Sequence, residues 1–363
     1  MCLNRPKASA KISKSEYIRV GENSYNSKYE FLKLFYTKWN QITKPSPRLI
    51  VDTHAGTGLV ILKKKYPLLN TSENQLIYGS PLIAILKTLK LSTNLKIILN
   101  EVDNRRFILL ERCIKAANNK GLPIFEKINQ DFNYKSIQTN RKRKKKVKKE
   151  FKYPESFNSD VPRGYKRVWE KSNALVELNN KKIEKVIDVI FDNHLKFNDN
   201  KNELKPKALF LVDPCGVVSW KKVIEKICLR SNKKEGTDLI LNWSWDAINR
   251  NLSTISKKDV LSEIYGIPLD KIETEFENIH TMSEFFLKYK NQLKKYFEYV
   301  VEVGVPRDRK TKPKQSTHKK YYLVLCTNNR SALSLAGYQI RKIKDKLRGR
   351  FKSLDIFINS SKN

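Results

Sequence analysis

Short apolar runs alternate with helix-like segments along most of the chain, and this alternation restricts the possible folds more than any other feature. Strands are predicted at RLIVD (48–52), LKIILNE (95–101), about 122–128, KALFLVD (207–213) and TDLILNW (237–243). Helices are predicted at 28–40, 80–90, 105–119, 174–195 and 219–230. Strand–helix alternation repeated five times predicts an α/β fold with a doubly wound, mostly parallel sheet. The continuous apolar run KALFLVD predicts a central strand of that sheet.

The C-terminal part of the chain departs from this alternation. The runs FEYVVEVGV (297–305) and KYYLVLCTN (320–328) flank a basic loop, and they predict a late antiparallel strand added to the sheet. A basic helix is predicted at 331–348. We therefore predict a basic N-terminal arm at 1–25 and one domain at 26–363, with a basic insertion at about 134–172 and a helical insertion at about 246–297.

The composition indicates which partners this chain favours. Lys and Arg number 73 against 37 Asp and Glu, a formal net charge of +36, and 40% hydrophobic residues are enough for a core. Such a surplus favours polyanions, nucleic acid first. We expect no membrane partner, because no run of about 18 apolar residues occurs, and no apolar segment of a secretory signal begins the chain. Five scattered cysteines without a C-x-x-C pair predict no metal site and a cytoplasmic location.

A glycine-rich turn, THAGTG, follows the first sheet strand. Ligands of open α/β sheets bind at the carboxyl ends of the strands, and glycines there let the backbone approach a ligand closely. An NAD fingerprint would need glycine where Ile61 stands, and a Walker A loop would need lysine where Leu59 stands. The remaining pattern, Asp-x-x-x-Gly-x-Gly, is typical of the S-adenosylmethionine-binding loop, although an ordinary strand-to-helix turn without a ligand is the alternative.

Acidic residues at the ends of further strands support this interpretation. Glu101, with Asp103 as a competing candidate, is placed to accept the ribose hydroxyls, and Asp131 is placed to meet the adenine amino group. Asp213, at the end of the fourth strand, would face the methyl donor, with Asn242 as a helper. The predicted cofactor-binding residues are Asp52, Ala55, Gly56, Thr57, Gly58, Glu101 and Asp131.

Several longer segments resemble one known family. They are KYEFLKLFYTKW, VDTHAGTG, GSPLIAIL, ILNEVD, FLVDPCG, LILNWSWDAINRN and KYYLVLCTN, in family order over most of residues 28–335. On these segments the chain resembles the three-Cys-motif partner family (TcmP), whose members are methyltransferase-like. The family usually has Phe-Ala-Gly-Pro-Gly where this chain has HAGTG, and an aromatic residue where Cys215 stands. The resemblance implies a Rossmann-like class I methyltransferase fold and S-adenosylmethionine as cofactor.

The segment Asp213-Pro-Cys-Gly suggests two kinds of methyl acceptor. Asp-Pro-x-Gly is similar to the fourth motif of tRNA guanine-N2 methyltransferases, in which the carboxylate holds an exocyclic amine of a base. The Pro-Cys pair offers a second hypothesis, in which Cys215 attacks a pyrimidine ring as a nucleophile. Asp213, Asn242 and Cys215 are thus the candidate catalytic residues. Trp220, Trp243 and Trp245 are candidates for stacking a base, or else for core packing.

Three basic segments, at 141–149, 306–320 and 339–352, are candidates for phosphate contacts, with a solvated linker as the alternative for the first. We expect a methyltransferase that acts on nucleic acid, RNA rather than DNA. A non-catalytic nucleic-acid-binding protein on the same fold, or a component of a ribonucleoprotein, is the alternative. The candidate nucleic-acid-binding residues are Arg141, Lys142, Arg143, Lys144, Lys145, Lys146, Arg307, Arg309 and Lys310.

Replacing the basic residues of 141–149 with serine tests the first basic segment. Nucleic-acid affinity is expected to fall about equally across sequences, and to depend less on salt. Each phosphate contact contributes about −0.9 to the slope of log affinity against log salt on B-DNA, or about −0.7 on single strands, and this contribution is lost with the contact. Binding titrations over a series of salt concentrations measure that slope. Unchanged affinity and slope would assign the run to a solvated linker.

Overall fold

A computed structural model describes residues 18–21, 25–66, 71–88, 94–119, 125–129, 175–195, 206–214, 216–232, 236–254, 257–306, 319–341 and 343. Within these ranges the strands are β1 Ile18–Gly21, β2 Arg48–Asp52, β3 Leu59–Tyr66, β4 Thr71–Tyr78, β5 Leu95–Asn100, β6 Phe125–Asn129, β7 Leu175–Asn179, β8 Lys207–Val212, β9 Thr237–Ser244, β10 Tyr299–Pro306 and β11 Lys319–Thr327.

The helices of the same ranges alternate with these strands. They are α1 Glu30–Ile42, α2 Ser80–Thr88, α3 Asn104–Asn119, α4 Ile183–Ile190, α5 Glu225–Asn232, α6 Trp245–Thr254, α7 Lys257–Tyr265, α8 Ile272–Phe276, α9 Met282–Leu293 and α10 at 330–341. Single π-helical turns precede α1 (Tyr25–Tyr29) and α5 (Trp220–Ile224) and follow α4 (Phe191–Leu195). None of the described helices has the length and apolar character that a bilayer crossing requires.

Eight strands form one sheet in the order β10-β11-β9-β8-β2-β5-β7-β6. Strands β9, β8, β2, β5, β7 and β6 pair in parallel, whereas β11 is antiparallel to both of its neighbours. The prediction of a mostly parallel α/β sheet with a late antiparallel strand is therefore confirmed, and the fold is Rossmann-like.

Helices cover both faces of this sheet because the side chains of its central strands alternate between two apolar clusters. In β8, Leu209 and Leu211 pack with α1, α2, α3 and α10, whereas Phe210 and Val212 pack with α4, α5 and the helices of 245–293. All five positions from Ala208 to Val212 are buried, as the run KALFLVD predicts for a central strand.

The predicted helix at 174–195 is wrong in its first part. Residues 175–179 form β7, which pairs in parallel with β5 and β6, and the helix α4 begins only at Ile183. The segment ALVELN contains helix-forming Leu and Glu, but pairing on both sides decides its conformation, since tertiary contacts override such weak local preferences.

The glycine-rich turn does not open a helix, contrary to the strand-to-helix expectation. It leads into β3, and the hairpin β3–β4 forms a small sheet with β1 in the order β1-β3-β4. The predicted N-terminal arm therefore ends in a strand at Ile18–Gly21. At the base of the hairpin, the N–H of Gly79 donates to the carbonyl oxygen of Gly58 at 2.7 Å. The hairpin is thus an insertion between the turn and α2.

Gly79→Ala tests the close approach of the two chains at this base. An alanine Cβ would lie 2.9 Å from the carbonyl oxygen of Gly58, so the free energy of unfolding is expected to fall by about 1–3 kcal/mol. Gly337→Ala in α10 is the matched control, because no atom of the described residues lies within 4 Å of its added Cβ and alanine is the better helix former. Urea denaturation compares the two variants, and equal stabilities would contradict the close approach.

Candidate functional site

Polar side chains gather where β2, β8 and β9 end, on the face of the sheet that α1 covers. Ile50, Leu211 and Ile240 belong to the apolar cluster on that face. Because strand side chains alternate, the residues two positions later point to the same side. These residues are Asp52, Asp213 and Asn242, and together they form one polar group beneath the first turns of α1.

An ion pair connects this group to the segment that precedes α1. The ammonium of Lys28 contacts Oδ2 of Asp213, and Nδ2 of Asn242 donates to Oδ1 of the same carboxylate at 2.6 Å. The side chains of Lys28 and Asp213 are only 11% and 14% exposed, so water stabilises neither charge well. The carboxylate is therefore held from both sides, by a cation and by an amide.

The two charges of this pair stabilise each other. Burial alone would lower the pKa of Lys28, but the Asp213 carboxylate outweighs burial and raises that pKa. Burial would likewise raise the pKa of Asp213, but the ammonium of Lys28 and the bond from Asn242 hold it below its ordinary value. Both groups are consequently charged at neutral pH.

Asp52 is the second carboxyl group of the site, and it is fully buried. Its Oδ1 accepts the backbone N–H of His54 at 3.2 Å, whereas Oδ2 has no hydrogen-bond partner among the described residues. Burial raises the pKa of Asp52 to about 7, although a hydrogen bond with Ser80 lowers it. The nearby charge of Asp213 adds to the increase.

Two other buried polar atoms beside these carboxyl groups lack partners within the described part of the chain. They are the hydroxyl oxygen of Tyr36 and Oδ1 of Asn242. Tyr36 interacts electrostatically with both Asp52 and Asp213, and its pKa is raised by burial. Buried polar atoms are normally hydrogen-bonded, so three orphaned atoms around one pair of carboxyl groups indicate that a polar ligand or water binds between them.

The glycine-rich turn lies beside this group and is tied to the end of β5. Gly56 and Gly58 adopt φ values of 67° and 78°, a region that glycine occupies without strain. The N–H of Gly56 donates to Oε2 of Glu101 at 2.8 Å, and the N–H of Asp103 donates to Oε1 at 2.8 Å. Ala55 completes the attachment by donating its N–H to the carbonyl oxygen of Asn100 at 2.8 Å.

Glu101 is therefore part of the turn as well as a candidate ligand. The residue is 4% exposed, and burial raises its pKa despite the two backbone bonds. Each carboxylate oxygen keeps a second acceptor position, so the predicted bonds to ribose hydroxyls are compatible with this geometry. Thr57 is buried, and its hydroxyl donates to the carbonyl oxygen of Leu59, which identifies it as a structural residue of the turn.

The strand next to β5 is β7, whereas β6 is the edge strand. Asn179 and Asn180 therefore stand at the end of the strand beside β5. Nδ2 of Asn180 donates to the carbonyl oxygen of Glu101 at 2.7 Å. Asp131 itself, like Cys215 and all nine candidate nucleic-acid-binding residues, lies outside the described residues.

Two of the three tryptophans are core residues. Trp220 and Trp243 are 2% and 4% exposed. Trp243 packs against Phe286 and Tyr322 at ring-centroid distances of 5.3 and 6.0 Å, so neither tryptophan is available to stack a base. Trp245 is half-buried and stacks on Trp243 at 6.1 Å.

Sequence reasoning missed Lys28, Tyr36 and the electrostatic role of His54. In the helix predicted at 28–40, Leu34 has the helical spacing of an apolar face that includes Phe31, but Leu34 is exposed, and Leu32 and Tyr36 are buried instead. A tyrosine on a helix face that also carries Phe31, Phe35 and Trp39 was the available signal. Burial lowers the pKa of His54 to about 4, so this ring is neutral beside Asp213.

Removing Lys28 tests the ion pair. Lys28→Met is expected to lower the free energy of unfolding by about 3–5 kcal/mol, because it leaves a buried carboxylate without its cation, and adding Asp213→Asn should restore part of the loss. Lys33→Met, in the first turns of the adjoining helix α1, is the matched control, since its partly exposed pair with Glu30 at 2.8 Å contributes only about 0–1 kcal/mol. Denaturant unfolding measures all four proteins, and equal losses for the two lysine variants would contradict the buried pair.

Comparison with known proteins finds no protein-family model that matches the chain and no curated protein that matches it. Among solved structures, the chain is similar to protein LPL1258 from Legionella pneumophila str. Philadelphia 1, of family-model DUF519, with 11% sequence identity and a TM-score of 0.44. The alignment covers 89% of this chain and 93% of that protein. A likeness this distant says nothing about the site or its chemistry.

Proposed function

We propose that the protein is an S-adenosylmethionine-dependent methyltransferase of class I that acts on nucleic acid at an exocyclic amine of a base. The observation that carries this proposal is the position of Asp52, a buried carboxyl group whose Oδ2 has no hydrogen-bond partner among the described residues. It lies between the turn with the positive-φ glycines and a second carboxylate, Asp213. The strand order supports it, since an antiparallel strand inserted between β9 and β10 is typical of class I methyltransferases.

The described residues fit the chemical groups of this cofactor. Its ammonium and sulfonium are cations, and Oδ2 of Asp52 and Oδ1 of Asn242 are buried acceptors without partners. Gly56 allows close approach of the backbone, Glu101 offers free acceptor positions to ribose, and Asn180 lies where the adenine would be read. When bound, the cofactor supplies an electrophilic methyl group.

Asp213 would hold the methyl acceptor. A carboxylate has about four acceptor positions, and Lys28 and Asn242 occupy two of them. The remaining positions can accept the N–H groups of an amine and so direct its lone pair, which makes positioning the main contribution of this residue. Because the pKa of Asp213 is lowered, the group stays ionised and acts only as an acceptor.

Lys28 is a positioning residue in this proposal. Its ammonium balances the charge of Asp213 and fixes one of its oxygens, which leaves the carboxylate oriented before a substrate arrives. Preorganised polar groups in a buried site need no reorganisation during the reaction, and this is why such sites are effective.

Nucleic acid is the proposed substrate because of the net charge of +36. Polyanions are attracted by such a surplus, and a base inside a duplex would have to be flipped out to reach a buried carboxylate. We favour RNA over DNA on the similarity of Asp213-Pro-Cys-Gly to the motif of tRNA methyltransferases.

One observation favours a second candidate, a non-catalytic nucleic-acid-binding protein on the same fold. Both oxygens of Glu101 already accept backbone N–H groups, and the residue is 4% exposed. Both oxygens of Asp213 also have donors. Two of the three carboxyl groups of the site, Glu101 and Asp213, are thus satisfied internally, as expected if a protein without turnover kept them for structure alone.

Calorimetry on folded protein freed of nucleic acid separates the two candidates. S-adenosylmethionine is expected to bind in the micromolar range, and Gly56→Val should abolish binding because valine cannot adopt a φ of 67° without strain. Gly337→Val in α10, where no described atom lies within 4 Å of an added Cβ, should leave the affinity unchanged. Absence of binding to the wild-type protein would favour the non-catalytic candidate.

Methyl-transfer assays on bulk RNA test Asp213 separately. Asp213→Asn is expected to abolish transfer because the amide cannot accept hydrogen bonds at both of its terminal atoms. Cofactor affinity should change by less than about tenfold, roughly 1.4 kcal/mol, because Asp213 holds the acceptor and not the cofactor. Retained transfer in this variant would exclude the amine-positioning role.

A further inference from the structure

The site contains more acidic than basic groups within its described residues. Asp52 and Asp213 are two buried carboxyl groups, and Lys28 is the one buried ammonium that faces them. That ammonium is committed to Asp213, with which it forms the ion pair. Of the other neighbours, His54 is neutral near pH 7 and Tyr36 carries an un-ionised hydroxyl.

Among the described residues, Asp52 therefore has no counterion of its own. The residue is fully buried, and its Oδ2 meets no donor among the described residues. A buried carboxylate without a paired cation is strongly disfavoured and usually takes up a proton instead. The hydroxyl of Ser80 and the N–H of His54 are its hydrogen-bonding groups, and both are uncharged donors.

We propose that Asp52 is protonated in the ligand-free protein at mildly acidic pH and gives up this proton to the solvent when a cationic cofactor binds, so that it sets the preference of the site for the cofactor over its demethylated product. The inference rests on the proposed function. S-adenosylmethionine carries a net charge of about +1 at neutral pH and S-adenosylhomocysteine about zero, since the thioether lacks the sulfonium charge. Both ligands carry an ammonium and a carboxylate whose charges cancel, so only the sulfonium of the first ligand supplies a further positive charge that compensates an ionised Asp52.

The direction of the pH dependence follows from the burial of Asp52. Burial raises its pKa to about 7, and a cation bound beside it lowers that pKa by favouring the ionised form. Below about pH 7 each cofactor molecule must therefore displace a proton, and its affinity should fall about tenfold for each unit by which the pH is lowered. Above about pH 7 Asp52 is already ionised, and the affinity should level off. The affinity of the product should change little.

Calorimetry in buffers of different ionisation enthalpy counts the protons directly. At pH 6 the observed heat of binding S-adenosylmethionine should vary with the buffer as expected for release of about one proton, whereas that of S-adenosylhomocysteine should not vary. Asp52→Asn should remove the proton release and reduce the preference for cofactor over product by about tenfold or more.

Asp238→Asn is the matched control for the loss of a buried carboxyl group. Asp238 is 5% exposed, burial raises its pKa, and it lies at the opposite end of β9, where it accepts the indole N–H of Trp39. This variant should keep both the proton release and the ligand preference. Circular dichroism establishes that each variant is folded, and the pH series on wild-type protein tests the inference if Asp52→Asn does not fold.

The possible failures are distinguishable. Cofactor binding with heats independent of the buffer, and with equal affinity at pH 6 and pH 8, would overturn the role of Asp52 while the proposed function stood. Buffer-dependent heats of equal size for both ligands would overturn the preference that we assign to Asp52. Failure of folded wild-type protein to bind either ligand would overturn the proposed function and this inference together.

Discussion

The candidate site depends on the ion pair between Lys28 and Asp213. Two charges removed from water are tolerated only when each compensates the other, and here the two residues come from opposite parts of the chain. Lys28 precedes α1, whereas Asp213 follows the central strand β8. The pair therefore fixes the start of α1 over the carboxyl end of the sheet. Without that placement, Tyr36 would not lie near Asp52 and Asp213, and α1 would not cover the polar group.

Further buried polar contacts anchor the same helix at its other end. The indole N–H of Trp39 donates to Asp238 at 2.7 Å, and the guanidinium of Arg48 donates to the carbonyl oxygen of Asn40 at 3.0 Å. These contacts lie near the amino ends of the strands, away from the candidate site. Since buried polar groups tolerate few alternative arrangements, anchoring at both ends sets the position of α1 along the sheet. The first turn of α1 is thereby held rigidly where Lys28 must reach Asp213.

The sheet could be predicted from sequence more completely than the site could. Apolar runs such as 207–213 can be recognised as strands from the sequence alone, because burial on both faces of a sheet requires a continuous apolar sequence. The strand at 175–179 has no such signal, since its identity depends on pairing with β5 and β6. Asp52 and Asp213 were predicted because strand ends collect ligand-binding groups in this class of fold. Lys28 and Tyr36 were missed because a helical sequence does not reveal which strand ends lie beneath it.

Two electrostatic requirements of the proposed function conflict, and distance separates them. A surface with a net charge of +36 attracts a polyanion but repels a cationic cofactor. Salt screens charges beyond about 8 Å at physiological ionic strength, so distant surface lysines contribute little within a buried site. There the nearest groups dominate: Lys28 is neutralised by Asp213, and the other carboxyl group beside that pair, Asp52, can provide net negative charge. The chain can therefore carry a strongly basic exterior and still bind a cation, provided that this single buried acid ionises when the cation arrives.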